Sequence, residues 1–102
     1  MIHVIATIDL APGTRDAFLE AFRQNVPAVL AETGCLGYSP SIDADTGWPN
    51  QHLVGADRVV VVEQWADTEA LKAHGAAPHM KAYRAAVKPY VLGMELRILQ
   101  PV

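Results

Sequence analysis

The chain has 102 residues, a net charge of −3 with its histidines neutral, and 51% hydrophobic residues. That length suits one domain, residues 1–102, around one core, and the absence of a Lys/Arg block excludes the usual footprint of a nucleic-acid or anionic-membrane partner. The lone Cys35 excludes an internal disulfide and suits a reducing compartment; no apolar run approaches the ~18 residues of a membrane span, and Met1–Ala6 shows no basic leader pattern, so a cytoplasmic location is expected.

Ile2 to Leu10 is rich in β-branched residues and free of breakers, which predicts a first strand ended by Pro12–Gly13. Thr14 suits the N-cap of a long helix. Phe18, Phe22, Val26 and Val29 form its apolar stripe, and Gly34 suits its C′ position. Pro27 lies inside that pattern and is expected to kink or divide the helix near Asn25–Val26. A second strand is expected from Cys35 to about Ala44, with Leu36, Tyr38 and Ile42 on one face and Pro40 marking an edge. Residues 45–57 read as a long polar loop.

Arg58 to Trp65 predicts a third strand. Asp67 or Thr68 caps a short helix that runs to about His74 and ends at Gly75. Pro78 fits the first position of a third helix. Met80, Tyr83 and Val87 make its inner stripe, with Lys81, Arg84 and Lys88 towards water and Pro89 at its end. Gly93 to Leu99 completes a fourth strand. The order β-α-β-β-α-α-β is that of an α+β, ferredoxin-like split βαβ fold with an antiparallel four-stranded sheet.

Val59, Val60, Val61 and Val62 are apolar on both pleat faces, whereas a sheet with one face in water alternates. The helices cover only one face. A second copy of the sheet is the simplest cover for the other, so a sheet-to-sheet homodimer is expected. The hydrophobic content, above that of an average small soluble domain, points the same way.

Four features in this order resemble the antibiotic biosynthesis monooxygenase family, and its quinol monooxygenase branch above all. They are Pro12–Gly13; Gly34-Cys35-Leu36-x-Tyr38; Glu63-x-Trp65; and Ala70-Leu71-x-x-His74 followed by Pro78–His79. The resemblance spans essentially the whole chain. It implies a dimeric α/β barrel with a pocket between sheet and helices in each subunit. It also implies oxidation of a hydroquinone- or phenol-like aromatic by O2 without metal or flavin. Trp65 matches the tryptophan that lines the pocket of polyketide-oxidising members; their asparagine four residues earlier is replaced by Val61. The asparagine, tryptophan and histidine of haem-degrading members fall near Ala6, His74 and Arg84, so haem degradation is not expected.

Such chemistry needs a base, donors for a phenolate oxygen and a dry pocket. His74, on the same helical face as Ala70 and Leu71, and His79, in the first turn of the next helix, are the candidate catalytic residues. Trp65, Tyr83, Tyr38 and Asn25 are the candidate substrate-binding residues. Each also has a plain structural reading, as core aromatics, caps or backbone-satisfied rings. Glu63 shares a face with Trp65 and is expected to pair with Arg58 or Arg97, or to hold the dimer edge. No metal site is expected, since His74 and His79 are five apart across a Gly-Pro break. Cys35 suits a small apolar role, and Trp48 suits a cover for the pocket mouth or a clamp on the partner subunit. The rival functions are an isomerase of a small hydroxycarbonyl compound and a non-catalytic small-molecule-binding dimer.

Overall fold

The computed structural model describes residues 1–102. β1 (Ile2–Leu10) ends at Pro12–Gly13, where Gly13 takes a φ of 77°. α1 (Arg15–Leu30), β2 (Cys35–Ser41), β3 (Arg58–Trp65), α2 (Thr68–Ala76), α3 (Pro78–Val87) and β4 (Val91–Leu99) follow. The strands form one antiparallel sheet in the order β2-β3-β1-β4. This is the α+β ferredoxin-like arrangement.

Strand parity decides which side chains meet the helices. Val4, Ala6, Ile8 and Leu10 of β1 and Val59, Val61, Glu63 and Trp65 of β3 point to the helix side and are buried. Phe18, Phe22 and Val29 of α1 and Met80 and Val87 of α3 close the core over them. The opposite face carries Ile5, Val60 and Val62 among Thr7, Ser39, Gln64 and Arg97. On β4, Met94, Leu96 and Ile98 pair with Ile8, Ala6 and Val4 and so share the helix side, yet they stay exposed. The helical layer stops short of that edge.

Several local expectations are corrected. α1 runs through Pro27 unbroken. The proline costs one N–H, but Phe22 and Val29 on either side of it are buried, and its carbonyl still accepts from Ala31 N at 3.1 Å. Thr14 stands at the N-cap, but its hydroxyl donates to Ala11 O at 2.7 Å instead of accepting from the helix. The C-cap of α1 is Ala31, and Gly34, at φ 84°, closes the following turn. A Cβ on Gly34 would lie 2.6 Å from the Ala70 Cβ, so glycine lets the start of β2 approach α2. β2 stops at Ser41, short of Ala44. A register shift between Cys35 and Gly37 separates Leu36, exposed, from Tyr38, buried, and Ile42 lies beyond the strand. α2 continues through Gly75 to Ala76, and β4 begins at Val91, two residues before Gly93.

Candidate active site between the sheet and helices α2 and α3

A cavity of about 270 Å³ lies between the helix side of the sheet and α2 and α3. Val4, Ala6, Ile8 and Val61 form its floor, and Leu71, Met80 and Phe22 close over it. Polar groups enter at Tyr38, Glu63, His74, Tyr83 and Arg84, and the Met94–Leu96–Ile98 row borders its open side. A larger depression near Asp16, Glu20 and Arg23 is a feature of the α1 surface alone and holds no sheet residue.

His74 reaches the cavity because α2 is started by Asp67, whose carboxylate accepts from Ala70 N at 2.8 Å. Its ring is buried. Its Nδ1 lies 2.7 Å from Glu32 Oε2, and in the neutral ring with the proton on Nδ1 that bond leaves Nε2 as the acceptor. The ring lies 4.6 Å from the Trp65 ring and 5.5 Å from the Tyr38 ring, centroid to centroid.

Glu32 sits in the turn after α1, 42 residues from His74 in sequence. It was not among the expected site residues, because no local pattern marks a turn glutamate as the partner of a distant ring. His79 does not line the cavity, and its Nε2 lies 3.5 Å from Glu32 Oε2 with no hydrogen bond. Its Nδ1–H donates to Asn25 Oδ1 at 3.2 Å, and Asn25 Nδ2 in turn donates to Met80 Sδ. Asn25, His79, Glu32 and His74 thus form one polar chain from α1 to the cavity, of which only His74 lines the wall.

Trp65 is fully buried and does not line the cavity. Its Nε1–H donates to Glu63 Oε1 at 3.0 Å. The expected pairing of Glu63 with an arginine is corrected: Arg58 pairs with Asp9 and Arg97 with Glu95. Burial raises the Glu63 carboxyl above its ordinary value, while the Trp65 hydrogen bond and the His74 charge pull it back.

Tyr38 stacks on Phe22 at 5.2 Å, and Tyr83 meets the same ring edge-on at 5.8 Å. Burial, then the Glu63 charge, pushes both phenols far above their ordinary values, so both stay protonated donors. Arg84, expected to face water, is exposed but borders the cavity and donates to Gly75 O at 3.2 Å. Burial likewise raises the Cys35 thiol, which keeps it protonated. Trp48 does not cover the mouth: it stands exposed in a segment braced by Thr46 and Gln51. No three His, Cys, Asp or Glu side chains converge as a ligand set, and no helix is long and apolar enough to cross a membrane.

A mostly apolar cavity with one imidazole, one buried carboxyl and two phenol donors is equipped to bind and deprotonate an aromatic hydroxyl. Residues 1–86 match the family model described as antibiotic biosynthesis monooxygenase. The chain is 48% identical to the protein named probable quinol monooxygenase YgiN of Escherichia coli K12, covering 99% of this chain and 98% of that one. Among solved structures, a protein of the antibiotic biosynthesis monooxygenase type from Caulobacter crescentus CB15 superposes with a TM-score of 0.81 at 29% identity, covering 99% and 89% of the two chains. One from Nitrosomonas europaea reaches 0.83 at 20% identity, covering 100% and 99%, a likeness of fold. With this geometry and these relatives, the chain belongs to the antibiotic biosynthesis monooxygenase family.

Proposed function

We propose that the protein is a quinol monooxygenase, oxidising a hydroquinone- or phenol-like small aromatic with O2 and without metal or flavin. The observation that carries this reading is the His74–Glu32 pair at 2.7 Å on the wall of a mostly apolar cavity. Glu32 holds the Nδ1 proton and leaves Nε2 free to act as base. Nε2 takes the proton of the substrate hydroxyl. Tyr38 and Tyr83 donate to the phenolate oxygen. The phenolate passes one electron to O2, and the radical pair combines at a ring carbon as a peroxide. The His74 proton goes to the distal peroxide oxygen. Loss of water then gives the quinone. Substrate and O2 become oxidised product and water, and no external reductant is consumed.

An isomerase of a small hydroxycarbonyl compound would be favoured by a polar pocket on which both histidines and an arginine converge. His79 stands off the wall and most of the lining is apolar, which favours oxygenation. The proposed assembly is a homodimer through the sheet face that carries Ile5, Val60 and Val62. The proposed location is the cytoplasm, in keeping with the free Cys35.

Oxygen uptake tests the function. Metal-stripped protein is supplied with a panel of reduced naphthoquinones, with autoxidation subtracted. One or more members should be consumed with one O2 each and no peroxide released. Glu32→Gln should slow that turnover by about 10-fold or more, because a neutral amide no longer stabilises the imidazolium that forms when Nε2 takes the proton. A panel with no enzyme-dependent uptake contradicts the reading.

A further inference from the structure

Glu63 is the one buried acidic side chain, and no arginine or lysine pairs with it. Its only hydrogen bond within the chain arrives at Oε1 from Trp65. Oε2 has no hydrogen-bond partner within the chain, and Glu63 lines the cavity. A buried carboxylate so poorly compensated costs stability, and carboxylates of this kind concentrate where proton transfer takes place. Burial also makes it a stronger base than an exposed carboxylate.

Its position is defined against His74. Glu63 rises from the sheet floor and His74 descends from α2. Trp65 braces both, with its Nε1 3.0 Å from Glu63 Oε1 and its ring 4.6 Å from the imidazole. Tyr38 is the cross-strand partner of Glu63 and lies edge-on to His74. An aromatic substrate in this cavity has a proton acceptor on the sheet side and another on the helix side.

Two protons must move in the proposed oxygenation, and the His74 cycle accounts for one. We propose that Glu63 is the second base, whose Oε2 takes the proton from the ring carbon that bears the hydroperoxide. The assignment rests on the quinol-oxidising reading. As the C–H bond breaks, its electron pair forms the new C=O bond. The O–O bond cleaves, and hydroxide leaves with the electron pair of that O–O bond. Glu63 then returns its proton to the hydroxide as water. The ring carbon is oxidised, the peroxide oxygen is reduced, and Glu63 ends as carboxylate.

A purely structural Glu63 would serve only to accept from Trp65, and Glu63→Gln preserves that acceptor. The experiment compares wild type, Glu63→Gln and Glu63→Asp, each first shown to melt cooperatively, on naphthohydroquinone with hydrogen or deuterium at the open ring position. Glu63→Gln should lower kcat about 100-fold or more with KM within about 3-fold. It should also unmask a ring-deuterium isotope effect that the wild type hides, and Glu63→Asp should fall between. Wild-type turnover with Glu63→Gln within about 3-fold and no isotope effect overturns the assignment while the oxygenase reading stands. Absent wild-type turnover, the oxygenase reading and the assignment that rests on it both fail.

Discussion

Burial holds the Glu63 carboxyl above its ordinary value, and the direction fixes a stability signature. A group whose folded pKa is raised binds its proton more tightly in the fold than in the open chain. Its contribution is fully present below the unfolded value and is lost as pH rises through the folded one. Glu63→Gln, neutral at every pH and still an acceptor for Trp65, should therefore melt about 2 °C or more above the wild type near pH 8. The gap should close as pH falls below the ordinary carboxylate range, which a series of thermal melts would record. Of the expected arginine partners for Glu63, Arg58 was readable as wrong from strand parity, and Arg97 is settled by the register of β4. Arg58 is an even residue of β3, and Arg97 pairs with Ile5 on the face away from the helices. His74 was legible as a polar ring on an apolar helical face, since a buried ring needs a partner. The partner itself was not legible, because Glu32 is brought to it only by the packing of the turn after α1 against α2.

The elements were legible in order because each carries local chemistry: β-branched runs, the Asp67 cap, Pro78 at the start of α3. Their ends were less so, where packing overrides a local signal. Pro27 reads as a breaker, yet buried side chains on both sides hold α1 together. Gly34 reads as a helix stop, yet its role is contact with α2. Gly34→Ala should cost about 1–2 kcal/mol from the positive φ alone, and more from the 2.6 Å approach to Ala70. Urea unfolding would measure it. The segment 42–57, with no helix or strand of its own, is held by Asp43, which accepts from Val54 N and Gly55 N at 2.9 and 2.8 Å. These bonds hold its carboxyl below the ordinary value. Asp43→Ala should speed hydrogen exchange at those two amides and leave the sheet amides unchanged.

Across the whole molecule, one layer of helices covers one face of the sheet, and Ile5, Val60 and Val62 lie on the other. The proposed dimer seals that face. Light scattering at micromolar concentration should give twice the mass of the chain, and Val62→Asp should halve it while circular dichroism stays unchanged. A wild-type monomer would contradict the assembly. The cavity is lined by residues of all four strands and all three helices of one chain, so its chemistry is testable in either state. The most direct test of the account supplies heavy-isotope O2 to metal-stripped protein and a reduced naphthoquinone, with the product trapped at once by reduction. Wild type should place one labelled oxygen atom in each product molecule, and His74→Ala should lower the rate about 100-fold or more. Unlabelled product, or a His74→Ala variant as fast as the wild type, would contradict it.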